Sequence, residues 1–403
     1  MTEVTSEETL GTSFYQPGDP VKQTLVFGTG CSQRVGEFAK TLGSHALVVT
    51  DPGIMTAGHP QKILDSLHQA GLKTFLFDGS VENPSDSSVQ ACALKASAIG
   101  VDVVIGVGGG SSLDTAKGAN FILTNGGSMK DYCGVGKAKN PLLPMIAIPT
   151  TAGTGSECQS YALISDDQTK RKMACGDPSA LPRITLLDPE LTRSQPNSVC
   201  MATAMDALAH TLESAVCNKR NPSSDYHAMH GFSLLVRNME QVWQYPDDLD
   251  ARGAVLLGAA HAGAAIERSM LGAAHALANP LTAKKGVIHG QAVSLTLPAV
   301  MAYNRQDSTS LYIYAEMAKV AGIAESGSSD NDAFDQLLST VIRLRKTAGL
   351  PELLDAVGCQ DLDLEELAQD ASEQWTATFN PRKVNQAELL KIYQSIDTTT
   401  QTK

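Results

Sequence analysis

The sequence has no apolar run long enough to cross a bilayer, which excludes a membrane-spanning helix. It has no basic excess. The net charge is −12, so the cationic footprint of a general nucleic-acid binder is missing. The opening segment MTEVTSEETLGTSFYQPGDP is polar and acidic, with neither a basic n-region nor an apolar h-region. No secretion signal is read there, and a cytoplasmic protein is the expectation. There is no CxxC pair. The eight cysteines (Cys31, Cys92, Cys133, Cys158, Cys175, Cys200, Cys217 and Cys359) are scattered. Without an export signal they read as reduced thiols, mostly small buried hydrophobes, and none is marked as a nucleophile. No internal repeat is found.

What is present points to two domains. At 403 residues the chain is too long for one ordinary domain, and 42% hydrophobic with 18% charged residues suits a large buried core. In the first half, strand-like runs alternate with amphipathic stretches. HALVVTDPG (45–53), GLKTFLFDG (71–79), VDVVIGVGGG (101–110), PLLPMIAIPTT (141–151) and ITLLDPEL (184–191) read as strands, and TLVFGTG (24–30) as an additional edge strand. HPQKILDSLHQA (59–70) and SSVQACALKASAI (87–99) read as helices between them. This alternation implies βαβ units and a mostly parallel sheet. From about Pro196 the texture turns Ala-, Leu- and His-rich with helical periodicity. The expectation is an α/β domain over 1–195 and an all-α domain over 196–403, with a frayed tail SIDTTTQTK.

Gly108-Gly109-Gly110-Ser111 directly follows a strand, and SLDTAKGANFIL then reads as a helix. Glycines let a phosphate approach the backbone, and a helix N-terminus offers free N–H groups. The run is not GxGxxG, and a glycine turn is equally ordinary punctuation. Asp51 ends another strand. Its carboxylate could accept from ribose hydroxyls and repel a 2′-phosphate, or it could cap a helix. The loop PTTAGTGSE (149–157) is rich in hydroxyls and glycines, suited to wrapping a cofactor or to being a polar connection.

Asp206 and His210 are four apart in MDALAHTLES, which places them on one helix face. His275 and His289 are fourteen apart, and Pro280 is expected to end the helix that carries His275. Three imidazoles and a carboxylate would suit Fe(II) or Zn(II). His227, His230 and His261 compete as ligands, and a lone Asp–His pair on a helix is more often a surface or capping pair than a ligand set.

Several motifs in one order resemble the iron-containing (group III) alcohol dehydrogenase family: GGGSSLDTAK (108–117), PTTAGTGSE (149–157), LLDPELT (186–192), MDALAHTLES (205–214), NPSSD (221–225) and the His275 to His289-Gly290 segment. The resemblance runs from about Leu25 to about Asn304. It implies a dehydroquinate synthase-like fold, with an α/β dinucleotide-binding domain, a helical domain and catalysis in the cleft between them. It also implies Asp206, His210, His275 and His289 as metal ligands, through which catalysis runs. Its cofactor contacts map onto Asp51, Asn83, Gly109, Gly110, Ser111, Thr150, Thr151, Thr154 and Lys172. An aspartate at Asp51 goes with NAD rather than NADP. Tyr161, Ile266 and Asn279 fall at substrate-pocket positions, and a homodimer or larger homo-oligomer is implied.

Two departures stand out. Asn279 occupies a position where the family often has a histidine near the nicotinamide, so a proton relay there must use another group. Ala204 replaces a usual glycine and is expected to be structurally mild. Lys284 and Lys285 read as solvated loop charges, with attraction of an acidic substrate as the other reading. The implied reaction is hydride transfer between a small alcohol and its aldehyde or ketone, with NAD and one Fe(II) or Zn(II) ion. The same architecture could instead serve a hydroxyacid–oxoacid transhydrogenase, a dehydroquinate synthase-like lyase using NAD transiently, or a non-catalytic protein.

Overall fold

Alternation of buried side chains sets the first layer. In the strand His45–Val49, Ala46 and Val48 pack on one face and Leu47 and Val49 on the other; in Val103–Gly108, Val103, Ile105 and Val107 oppose Val104. A strand apolar on both faces must be covered on both, which parallel sheets achieve with crossover helices. Each Val, Leu or Ile among them contributes about 1.5–3 kcal/mol when fully buried.

The computed structural model describes residues 8–9, 14, 23–169, 171–358 and 364–396. Cys359 and the tail 397–403 lie outside the described residues. Contacts divide the chain into two compact units, Met1–Gln195 and Pro196–Lys403.

The first unit contains strands β1 (Glu8–Thr9), β2 (Thr24–Phe27), β3 (His45–Val49), β4 (Lys73–Phe77), β5 (Val103–Gly108), β6 (Gly134–Val135), β7 (Met145–Pro149), β8 (Tyr161–Ser165), β9 (Lys172–Gly176) and β10 (Ile184–Leu187). Its helices are α1 (Val35–Ala39), α2 (Pro52–Thr56), α3 (His59–Gln69), α4 (Asp86–Ser97) and α5 (Gly110–Asn125). The main sheet has the order β1-β2-β10-β7-β5-β3-β4, parallel except for β1. Helices α1 and α3 cover one face, α4 and α5 the other. The expected edge strand TLVFGTG is β2; it stands one place inside the edge, because β1 pairs antiparallel with it.

A second sheet, β6-β9-β8, was not expected from the sequence. Its strands are short, and KMACG carries no strong β signal. Packing supplies what propensity lacks: Ala162, Ile164, Met173 and Cys175 join Val89 and Phe121 in a separate cluster.

The second unit is helical: α6 (Asn197–Val216), α7 (Pro222–Gln244), α8 (Leu249–Arg268), α9 (Ala273–Lys285), α10 (His289–Asn304), α11 (Ser308–Val320), α12 (Asp330–Thr347), α13 (Leu364–Ser372) and α14 (Gln386–Ile396). α6 is buried continuously from Ala204 to Val216, with Ala204 accommodated in an uninterrupted helix. The NPSSD motif proves to be a capping box. The Asn221 side chain accepts from Ser223 N and Ser224 N, with Pro222 at the first turn. In LLDPELT, Asp188 likewise accepts from Gly30 N, Ser32 N and Ser32 Oγ at 3.0, 3.2 and 2.6 Å.

Two expectations are corrected here. Pro280 does not end the helix carrying His275; α9 runs on to Lys285 and stops at Gly286, which has φ 67° and donates to Thr282 O. Proline removes one helical bond, but α9 is buried from Ala273 to Ala278 and again at Pro280 and Leu281, and packing outweighs that loss. Lys284 and Lys285 are therefore on a helix, in its last turn, where cations suit the dipole. Lys284 pairs with Glu366 and, at 2.7 Å, with Asp370.

Gly290 marks the tightest glycine contact of the second unit. A Cβ there would lie 2.3 Å from the backbone oxygen of Ala202, so only glycine lets α10 touch α6 beside His289. Gly290→Ala should destabilise the protein by roughly 1–3 kcal/mol. Thermal unfolding checks this, and an unchanged melting temperature would contradict the packing.

Candidate metal centre and nucleotide site

β4 and β7 flank β3 and β5 on opposite sides, so the chain reverses its winding between β3 and β5. Ligands of open α/β sheets bind at the carboxyl ends of strands at such a switch point. Asp51 follows β3. Its Oδ1 accepts from Ile54 N at 3.0 Å, capping α2, and its Oδ2 accepts from Ser112 Oγ at 2.8 Å. The capping bond is present, and the same carboxylate faces the glycine turn.

That turn is closely packed. Gly108 has φ 149°, and a Cβ there would sit 2.6 Å from Ser112 Oγ and 3.1 Å from Asp51 Oδ2. A Cβ on Gly109 would meet Thr151 at 3.3 Å, and one on Gly110 would meet Thr154 at 2.8 Å. Asp51, Gly109, Gly110, Ser111, Thr151 and Thr154 thus gather around the start of α5, which has no side-chain cap. Thr150 donates its N–H to Gly108 O at 3.0 Å, while its Oγ1 is buried without a hydrogen-bond partner.

The hydroxyls of Thr50 and Ser80, beyond β3 and β4, are buried in the same unpartnered way. Asn83 has φ 51°, the one positive φ outside glycine among the described residues. An uncapped helix start, partnerless hydroxyls at strand ends and a carboxylate at the switch point fit a dinucleotide. Lys172 opens β9, exposed and in register with Ser165, and its charge acts on buried Asp114.

The second unit holds the other cluster. Asp206 is 4% exposed. Its Oδ1 lies 3.4 Å from His210 Nε2, 3.3 Å from His275 Nε2 and 3.9 Å from His289 Nε2. Ligands about 2.1 Å from a tetrahedral ion stand roughly 3.4 Å from one another. Asp206 Oδ1 and His275 Nε2 are buried with no hydrogen bond of acceptable geometry, as atoms aimed at a common ion would be. Asp206, His210 and His275 form the tight group; His289, its side chain 28% exposed, stands at the margin. The competing histidines are engaged elsewhere, with His227 Nδ1 2.9 Å from His261 Nδ1 and His230 on the Tyr226 carbonyl.

Burial alone would raise the Asp206 carboxyl, but His210, His289 and His275 outweigh it and hold the group below the usual range. Burial would lower His275; Glu213 and Asp206 outweigh that and raise it from 6.5 to about 9. The Glu213 carboxylate bonds His275 Nδ1 through Oε2 and accepts Ala274 N through Oε1 at 2.7 Å. A proton on Nδ1 leaves the Nε2 lone pair facing inward, which is the arrangement a metal ligand needs.

The pocket positions are divided between the two units. The Tyr161 ring packs over Gly176 in the first unit. In the second, Ile266 is buried near the end of α8 and Asn279 donates to Gln374 Oε1 at 3.1 Å. A cavity of about 620 Å³ borders the first turn of α10 at Ile288 and Gln291, and none of those three lines it.

Residues 22–189 match the family model for iron-containing alcohol dehydrogenase, and residues 200–396 that for the C-terminal part of the same family. The chain belongs to the iron-containing alcohol dehydrogenase family. It is 31% identical over 368 residues to the NAD-dependent methanol dehydrogenase of Bacillus methanolicus, covering 91% of this chain and 96% of that one. It is 33% identical over 370 residues to the 1,3-propanediol dehydrogenase of Klebsiella pneumoniae, covering 91% and 95%. A crystal structure of 1,3-propanediol oxidoreductase superposes with a TM-score of 0.88 at 33% identity, covering 92% and 97%. Membership makes this chain an alcohol dehydrogenase that works with a metal and a nicotinamide dinucleotide.

Sequence reasoning missed Glu213, Thr50 and Ser80. Glu213 was legible in principle, as it falls seven after Asp206 and three after His210 on the same helical stripe. Glu213→Gln should weaken metal binding about 10–100-fold, checked by chelator competition. A second expectation concerns pH. In the metal-free protein His275 keeps its proton up to about pH 9, and a metal must displace it. Apparent metal affinity should therefore fall as pH drops below 9, by about tenfold per unit for one displaced proton. Metal titrations from pH 6.5 to 9 read this directly.

Proposed function

We propose that this protein binds one divalent metal, Fe(II) in preference to Zn(II), through Asp206, His210, His275 and His289, and interconverts a small alcohol and its carbonyl compound using NAD in preference to NADP. The observation that carries this reading is the buried Asp206 carboxylate ringed by three imidazole nitrogens, with Glu213 fixing the tautomer of His275. A held divalent ion supplies Lewis acidity toward the alcohol oxygen, and bound nicotinamide the carbon that exchanges hydride.

The chain's own residues do the rest. Asp206 offsets the charge of the centre, and Glu213 holds His275 in place. Ala207, Leu208, Ala276 and Leu277, next to the ligands along α6 and α9, are buried. Asn279 has no titratable group and is held by Gln374, so it can hydrogen-bond but cannot relay a proton. The glycine turn and the N-terminus of α5 would hold the pyrophosphate of the dinucleotide, and Asp51 its ribose. The family's naming supports iron, while the N3O donor set accepts either iron or zinc. No helix among the described residues is long and apolar enough to cross a membrane.

The test is alcohol-dependent formation of free NADH by Fe(II)-loaded protein, with His275→Ala as the control expected to lose both metal and turnover. Activity without added NAD would point to a transhydrogenase instead. In Asp51→Gly the NADP-to-NAD ratio of kcat/KM should rise about tenfold or more, since a carboxylate no longer opposes the 2′-phosphate. Glycine is a tolerated N-cap, so stability should fall by only about a few tenths of a kcal/mol. An unchanged ratio would remove Asp51 from the specificity assignment.

A further inference from the structure

Lys117 lies two turns into α5 and is fully buried, among the largest side chains sealed from solvent. Its ammonium nitrogen lies 2.6 Å from Ser156 O, 2.9 Å from Ser156 Oγ, 2.7 Å from Gln159 O and 3.0 Å from Tyr161 O, so that four oxygens share three N–H donors. Three of these four acceptors are backbone carbonyls, two in one loop and the third on Tyr161, where that loop enters β8. That loop, after β7, carries Thr151 and Thr154. Its own short-range backbone bonds are few: Cys158 N to Gly155 O and Gln159 N to Ser156 O. An ammonium taken out of water is costly unless oxygens replace its hydration, and an apolar side chain would fill the space more cheaply. The charge is therefore doing a job that packing does not require.

The connections continue to the cofactor side. Gln159, whose carbonyl Lys117 holds, donates its side chain to Thr154 O at 2.9 Å. Thr154 packs against Gly110, the first residue of the helix that carries Lys117. Ser156 Oγ, the fourth acceptor, donates in turn to Asp114 Oδ1 at 2.7 Å, on the same helix. One helix thus begins at the glycine turn and, seven residues on, ties down the loop whose Thr151 and Thr154 pack against that turn.

We propose that Lys117 is a positioning residue for the dinucleotide, acting as a built-in cation that organises the carbonyls of the Thr151–Tyr161 loop so that Thr151 and Thr154 meet the glycine turn. This rests on the reading of that turn as the dinucleotide site. In Lys117→Met, KM for NAD and the dissociation constant for NADH should rise about tenfold or more. Metal content should stay at the wild-type level and kcat at saturating NAD should fall less than about threefold. In Lys117→Ala, added ethylammonium should restore part of the NADH affinity, because the oxygen cluster remains and lacks only its cation. A merely structural lysine would lose NADH affinity, metal and thermal stability together and would not be rescued.

If the Lys117 variants do not fold, Gln159→Ala carries the test, since it cuts only the link to Thr154. NADH affinity should drop about fivefold with melting temperature and metal content unchanged. Wild-type NADH affinity in Lys117→Met or, failing that, in Gln159→Ala overturns the proposal. If the wild-type full chain itself bound no NADH, the dinucleotide reading would fail instead, a distinguishable result.

Discussion

A carboxylate with 4% of its surface exposed has lost its water, and Asp206 persists in that condition only because imidazoles surround it. Burying such a charge costs several kcal/mol unless partners answer it. The answer propagates outward. If the imidazole lone pairs face inward, their other nitrogens need acceptors, and for His275 that acceptor is Glu213. Glu213 is buried as well, so its second oxygen takes the Ala274 N–H at the start of α9. Each buried polar group requires the next until a backbone amide ends the series. Three helices must then converge on one point, and the backbone contact at Gly290 is where that convergence is tightest.

The nucleotide site obeys a different constraint. Its geometry comes from the missing side chains of Gly108, Gly109 and Gly110, which bring Asp51, Ser112, Thr151 and Thr154 within contact of one turn. Asp51 shows that a structural and a functional reading of one residue need not compete. One oxygen caps α2 while the other faces the turn through Ser112. The cap holds the carboxylate in place, and that fixed orientation is what discrimination between ribose and phosphate would need.

Much of this was legible in the sequence because it was local. The main-sheet strands betrayed themselves by runs buried on both faces, and Asp206 with His210 by a four-residue spacing. What stayed hidden was settled by packing at a distance. β8 and β9 have ordinary composition and exist because Ala162, Ile164 and Cys175 cover α4 and α5. Pro280 signals a helix end by its own chemistry, yet α9 continues because its neighbours bury it. Glu213 carried a periodic signal, but the signal means nothing until His275, sixty-two positions away, is known to lie beside it. Thr50 and Ser80 could not be singled out either, because a hydroxyl after a strand matters only when burial leaves it without a partner.

The lysines at the end of α9 bear on the substrate. From sequence they could have drawn an anionic substrate toward the metal. In the structure Lys284 is matched by Glu366 and Asp370, and burial lowers its proton affinity less than those two carboxylates raise it. A cation already answered by two carboxylates projects little field beyond about one Debye length of 8 Å at physiological ionic strength. One turn earlier on the same helix, Asn279 is neutral and tied to Gln374. Between His275 and Pro280, α9 therefore carries no lysine, arginine or carboxylate, whereas Lys285, exposed in the last turn, borders the cavity of about 620 Å³.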